Sequence, residues 1–274
     1  MILTLLLLSS LGSALYVILG TNWVNGITDF WIVLLALLTG FIIGIIILLL
    51  YIYILSLTVN KKKANEECKK IYIRTMQRVC ELLLMLFGGK VYIRGMDKIP
   101  TDKKFMFACN HQSWFDAVVA LWTLRGFPMS YVLKKSLVDA FVLGKYLHAV
   151  SFISLDRENP KEGVKAINRA VKKIEDDKAS IFIFPEGTRS GGYEMGEFHS
   201  GSFKIATKAK CPIVLCALQN SWKVTKRFPF KSTNVYFDVV EVLDYEDYKD
   251  KSTREISDYA HKVIKESLDQ LPKY

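Results

Sequence analysis

The chain has 274 residues, 51% hydrophobic and 23% charged, a composition that excludes a disordered, collagenous or disulfide-scaffold protein. Charge is unevenly divided: residues 1–60 contain no Lys or Arg and only one acid, Asp29, so all 37 bases and the other 26 acids follow, a formal +11. That split excludes a uniformly soluble protein and indicates an apolar leader joined to a basic domain of ordinary single-domain size, suited to anionic headgroups or phosphorylated substrates, or simply solvated.

Residues 30–59 carry no charged side chain, and about 20 apolar residues suffice to cross a bilayer, so a transmembrane helix is expected there. Residues 1–20 form another apolar run, interrupted by Ser9, Ser10, Gly12 and Ser13. This reads as a second membrane segment, spanning or re-entrant. The alternative of a signal peptide lacks a basic n-region and a convincing cleavage site. The connecting loop has no Lys or Arg, whereas Lys61, Lys62 and Lys63 follow the second run at once. The positive-inside rule therefore puts the loop outside and the main domain in the cytoplasm. Residues 1–60 are thus the expected anchor, at the cell membrane. Residues 61–88 read as a basic amphipathic helix, with Ile71, Val79, Leu82, Leu83 and Leu86 near one face and Lys69, Lys70, Arg74 and Arg78 available to another. Such a helix either lies on anionic lipid or packs on the domain it leads into.

Across residues 89–274, strand-like runs at 90–94, 105–109, 151–155, 180–184, 213–218 and 235–243 alternate with helical spacing at 162–176 and 254–271, which argues for an α/β domain. No internal repeat or low-complexity linker divides it. Cysteines at 68, 80, 109, 211 and 216 form no CxxC pair, and the four histidines form no HExxH pattern. Free cytosolic thiols and no metal site are expected.

Two motifs carry chemistry. Asn110-His111-Gln112-Ser113-Trp114-Phe115-Asp116 follows the strand-like FMFAC. Five residues advance a helix by about 500°, so His111 and Asp116 share no face of a continuous helix, but they meet if His111 lies in the loop before it. Asp116 can then hold the imidazole Nδ1–H and leave Nε2 free to accept a proton. The same residues also spell a helix start, with Ser113 as N-cap and Ser113-x-x-Asp116 resembling a capping box. The second motif, Phe184-Pro185-Glu186-Gly187-Thr188-Arg189-Ser190, ends the apolar run SIFIF. Pro185 and Gly187 halt the strand in a turn, a place where open α/β sheets bind ligands. There Arg189 can grip a phosphate or form an exposed ion pair, and Glu186 can accept hydrogen bonds from a hydroxyl or the loop.

With both motifs in order, the chain resembles the glycerolipid acyltransferases, and most closely the bacterial lysophosphatidic acid acyltransferases. NHQSWFD looks like the family's NHxSxxD motif, and FPEGTRS looks like its FPEGTRS motif. GMDKIP, KKSL, FISLDR, FHSGSFKIA and CPIV extend the likeness over roughly residues 90–220, although Phe141 and Leu215 stand where the family often has proline. The resemblance implies a mixed α/β sheet flanked by helices and an N-terminal transmembrane anchor. It implies transfer of a fatty acyl group from acyl-CoA or acyl carrier protein, as substrate and with no cofactor, to the sn-2 hydroxyl of lysophosphatidic acid, giving phosphatidic acid. His111 would be the general base and Asp116 its orienting partner. Arg189, with Lys134 or Lys135, would hold the phosphate, with Arg157 a secondary candidate; Gly187 and Thr188 would belong to the same substrate-binding loop, and Glu186 would bind the glycerol hydroxyl or order the Arg189 loop. Membrane phospholipids are the expected surroundings, and nucleic acid is not an expected partner. Two alternatives are another lysolipid acceptor (lysophosphatidylglycerol, lysocardiolipin, a lyso-ornithine lipid) and a non-catalytic lipid-binding protein on this fold.

Overall fold

The computed structural model describes residues 2–21, 23, 24, 26, 29–61, 69–156 and 159–273. They fall into two compact units, Met1–Lys63 and Ala64–Tyr274.

In the first unit α1 (Ile2–Gly20) and α2 (Phe30–Leu57) pack side by side. The 28 residues of α2 are long and apolar enough to cross a bilayer, spanning ~42 Å at 1.5 Å per residue. The serines that interrupt the first apolar run form the packing surface. A Cβ at Gly40 would lie 2.6 Å from the Ser9 carbonyl, and one at Gly44 2.6 Å from Ser9 Oγ. Ser9 Oγ donates to the Gly40 carbonyl at 3.0 Å and Ser10 Oγ to that of Leu37 at 2.6 Å. In lipid, which supplies no hydrophobic drive between helices, close approach and such hydrogen bonds would hold a pair together.

In the second unit a seven-stranded sheet is built from β1 (Gly89–Arg94), β2 (Met106–Cys109), β3 (Met129–Lys134), β4 (Ile153–Leu155), β5 (Ser180–Ile183), β6 (Ile213–Gln219) and β7 (Thr233–Leu243), in the order β1-β7-β6-β2-β5-β3-β4. All neighbours are parallel except β6 and β7, so the sheet is mixed. The helices are α3 (Lys70–Leu86), α4 (Phe115–Thr123), α5 (Lys135–Asp139), α6 (Leu143–Ala149), α7 (Pro160–Glu175), α8 (Lys204–Ala209), α9 (Ser221–Arg227), α10 (Tyr245–Tyr248) and α11 (Thr253–Gln270). Alternation along each strand sorts the core. Met106, Ala108, Ile181 and Ile183 pack with α7, α8 and α11 on one face. Phe107, Cys109, Phe182 and Val214 pack with α3, α4 and α9 on the other. Strands covered on both faces read as unbroken apolar runs, as SIFIF does.

Two expectations need correction. The sequence MSYVLK, given no strand above, forms β3 in the middle of one half of the sheet. The buried face of α3 is also rotated from the expected one: Tyr72, Thr75, Cys80, Leu82 and Leu84 are buried, whereas Ile71 and Leu86 are exposed. Its inner face packs against α4, which matches the alternative of packing on the domain, while Ile71, Met85 and Leu86 leave an apolar outer strip. Lys62, Lys63 and Cys68 lie outside the described residues. The other four cysteines are buried free thiols, and burial pushes those of Cys80 and Cys211 up to about 12.

Candidate active site

Both motifs sit at the carboxyl ends of adjacent parallel strands, NHQSWFD after β2 and FPEGTRS after β5. Asn110 prolongs β2 with its side chain, donating through Nδ2 to the Leu218 carbonyl at 2.9 Å and accepting the Leu218 N–H at 2.7 Å. This pins the strand end to β6 and frees the next residues to turn. His111 lies in that turn and α4 begins at Phe115, so the imidazole and Asp116 do face each other across the helix start. Their Nδ1 and Oδ2 are 2.6 Å apart. A carboxylate only accepts, so Nδ1 carries the hydrogen and Nε2 is the free basic nitrogen. The ring stacks on Phe184 at 3.9 Å between centroids and 9° between planes, which fixes its plane.

Asp116 is fully buried, and a buried charge needs a complete set of partners. Oδ2 also accepts the N–H groups of Gln112 (2.6 Å) and Ser113 (2.8 Å), and Oδ1 accepts the Ser221 hydroxyl. The same carboxylate thus meets the imidazole and the Ser113 N–H, but the capping box is only half formed, because the Asp116 N–H donates to the Ser113 carbonyl at 3.2 Å and not to its hydroxyl. Ser113 Oγ in turn accepts the Phe115 N–H at 3.1 Å, as a cap does. Gln112 reaches Gln219 at 2.8 Å behind it.

The second motif is tied to the first through the main chain. The N–H groups of Ser190 and Gly191 donate to the carbonyls of His111 (2.9 Å) and Gln112 (3.0 Å). Glu186 is 2% exposed, and accepts the His111 N–H at 2.5 Å and the Gly196 N–H at 2.9 Å. Each carboxylate oxygen thus accepts one amide, from His111 and from Gly196, which ties the carboxyl to both loops. Burial pushes the Glu186 carboxyl up to about 7, with the Asp116 charge adding to the rise and the two amides opposing it. Gly187 stands at φ 69°, in the left-handed region, where a side chain would be strained. Thr188 and Arg189 are exposed beyond it, and the described residues supply no ion pair to Arg189.

Lys134 ends β3 at the same edge of the sheet and is exposed, whereas Lys135 Nζ lies 3.5 Å from Asp156 Oδ2. Arg157 lies outside the described residues. Sequence reasoning missed Ser221, Gln219, Phe184 as a stacking partner, and Gly196. The only sequence signal for Ser221 is its place just past an apolar strand, since it reaches Asp116 from 105 residues away. Among the described residues, no cluster of His, Cys, Asp or Glu is suited to a metal ion.

Comparison with known proteins follows the same two motifs. The Acyltransferase family model matches residues 90–219. A 1-acyl-sn-glycerol-3-phosphate acyltransferase of Bacillus subtilis is 31% identical over 140 residues, covering 51% of this chain and 67% of the relative. The chain belongs to this acyltransferase family. The Haemophilus influenzae 1-acyl-sn-glycerol-3-phosphate acyltransferase is 28% identical over 193 residues, 69% of this chain and 78% of the relative. The crystal structure of the 1-acyl-sn-glycerophosphate acyltransferase of Thermotoga maritima superposes with a TM-score of 0.64 at 21% identity, covering 82% of this chain and 88% of that one, which shows the shared fold. The acyltransferase region thus runs from β1 to the end of β6 and contains both motif loops.

Proposed function

We propose that this acyltransferase moves a fatty acyl group from a thioester, on acyl-CoA or acyl carrier protein, to the sn-2 hydroxyl of lysophosphatidic acid, giving phosphatidic acid. The observation that carries the reading is the 2.6 Å contact of His111 Nδ1 with the buried Asp116 carboxylate, at a strand end clasped to the Arg189 loop. An alcohol is a weak nucleophile at neutral pH, so His111 Nε2 removes its proton during attack on the thioester carbonyl. Asp116 keeps the productive tautomer and stabilises the imidazolium. Collapse of the tetrahedral intermediate breaks the carbon–sulfur bond, and the imidazolium returns the proton to the departing thiolate. No acyl-enzyme is needed once both substrates are held together. Arg189, exposed on a loop fixed by Glu186, grips the acceptor phosphate, with Lys134 better placed to assist than Lys135, which faces Asp156.

Residues 1–60 act as the anchor, with the catalytic unit on the cytoplasmic face, as the Lys-free loop and Lys61 favour. The exposed Ile71, Met85 and Leu86 of α3 favour contact of that helix with lipid. The deciding assay uses the full chain in vesicles, crossing labelled acyl-CoA and acyl carrier protein donors with lysophosphatidic acid, lysophosphatidylglycerol and monoacylglycerol. Turnover highest with lysophosphatidic acid supports the reading. Equal turnover of the neutral acceptor overturns the phosphate grip.

A further inference from the structure

A second basic site lies at the opposite end of the same strands. Where β3 and β5 begin, a cavity of about 580 Å³ opens between the first half of α3, the end of α4 and the end of α7. Catalysis occurs beyond the other ends of these strands, and the four residues of β5 alone set the two sites ~13 Å apart. Five cations line the cavity (Lys70, Arg74, Arg125, Lys173 and Lys178), and among the described residues no carboxylate does. Of the acids beside these elements in sequence, Asp176 lies 3.3 Å from Lys178 Nζ, one of the five, Asp177 pairs with Lys104 at 2.8 Å, and Glu81 pairs with Arg78 at 2.8 Å.

One cation is held in place. Ser130 Oγ donates to the Ser151 carbonyl at 2.7 Å, Ser151 takes a left-handed φ of 59°, and its hydroxyl accepts from Lys173 Nζ at 2.5 Å. Arg125 is steadied by the Trp122 ring, 4.8 Å from its centroid. Between the cations the walls are apolar, formed by Ile73, Leu121, Phe127, Met129 and Val150. Five cations gathered on the described walls favour an anion, and an apolar wall favours one that carries hydrocarbon.

We propose that this cavity binds the phosphate headgroup of an anionic lipid, with the first methylenes of its chains against the apolar wall, separately from the catalytic site. Free phosphate and the phosphates of a nucleotide carrier share the headgroup chemistry but have no chain to bury. The reading does not depend on which lysolipid is the acceptor, and its test reads binding without turnover.

The full chain, in nanodiscs of phosphatidylcholine, is titrated with dioctanoyl phosphatidylglycerol, dioctanoyl phosphatidylcholine, inorganic phosphate and CoA. The expected result is saturable binding of phosphatidylglycerol alone, weakened at least tenfold, ~1.4 kcal/mol, in the double variant Arg74→Gln, Arg125→Gln and unchanged in Arg189→Ala. If the double variant melts early, each single variant carries the same expectation with a smaller loss. Absence of saturable binding, or binding unaltered in the cavity variants, overturns the site. Inorganic phosphate or CoA binding as tightly overturns the lipid. An equal loss in Arg189→Ala places the lipid in the catalytic site and overturns the separation.

Discussion

At the carboxyl ends of β2 and β5 both Asp116 oxygens are paired and the two motif loops are joined by main-chain bonds. At the amino ends of β3 and β5, cations on α3 and α7 and in the segments just past α4 and α7 surround an open cavity. The difference fits the two tasks proposed for these sites. Proton transfer needs one imidazole geometry held to a fraction of an ångström, so its supporting groups are buried and fully satisfied. Recognition of a phosphate needs only converging positive charge, which long side chains on separate elements supply.

The largest effects should come from the dyad, and they test the first half of that contrast. His111→Ala should lower turnover by ~10²–10⁴-fold, the usual contribution of a general base, with little change in melting temperature. Asp116→Asn should lose rate to a similar extent, because an amide can stabilise the wrong tautomer. It should also melt earlier, since it disturbs three donors at Oδ2 and one at Oδ1. Turnover assays beside calorimetry decide this. A His111→Ala variant of near wild-type activity removes the dyad, and an Asp116→Asn variant of unchanged stability means the buried carboxylate is not the scaffold it resembles.

A smaller loss is expected at Arg189, the exposed part of an otherwise sealed site. Arg189→Lys keeps the charge and loses the two-pronged grip, so KM for lysophosphatidic acid should rise several-fold while that for the acyl donor moves little. Arg189→Ala should cost ~10–100-fold in kcat/KM and narrow the discrimination against monoacylglycerol. An unchanged acceptor ratio in steady-state kinetics would take Arg189 out of the phosphate site.

Much of this was readable in the residues, for physical reasons that also explain what was not. His111 and Asp116 were legible because a strand followed by a helix start forces them together, and SIFIF because a strand buried on both faces has no polar alternation. MSYVLK hid as β3 because its carboxyl half is only partly buried and runs straight into Lys134 and Lys135. The face of α3 was misjudged because Ile71 and Leu86 stay exposed while Thr75 is buried with its hydroxyl bonded to the Ile71 carbonyl at 2.8 Å. Ser221 was invisible because its partner is set by sheet order, in which β6 lies beside β2, and no local pattern encodes that.

Ser221→Ala sharpens the same point more gently. It leaves Oδ1 of a fully buried carboxylate without its hydroxyl donor, which costs ~1–3 kcal/mol of stability. The His111 contact uses the other oxygen, so turnover should fall only a few-fold. Thermal melts with parallel rates test this. A rate loss as large as that of Asp116→Asn would make Ser221 part of the proton-transfer geometry.

The smallest effect concerns Glu186, whose carboxyl burial raises to about 7 from an ordinary 4.5. The folded protein then holds this proton more tightly than the unfolded chain, so protonation favours folding. The contribution is complete below about pH 4.5, is lost as pH rises to about 7, and stays flat above. Glu186→Gln carries no titrating group, so its stability relative to wild type should improve across that window. Near neutral pH two changes oppose each other: the amide avoids burying a charge, but its NH2 faces an N–H where an oxygen had accepted, each worth ~1–3 kcal/mol. The net shift in melting temperature at pH 8 should therefore be a few degrees at most. Melting curves of both proteins from pH 4.5 to 8 test the sign. Parallel curves would mean that Glu186 does not titrate there and that the clasp between the two loops is insensitive to its charge.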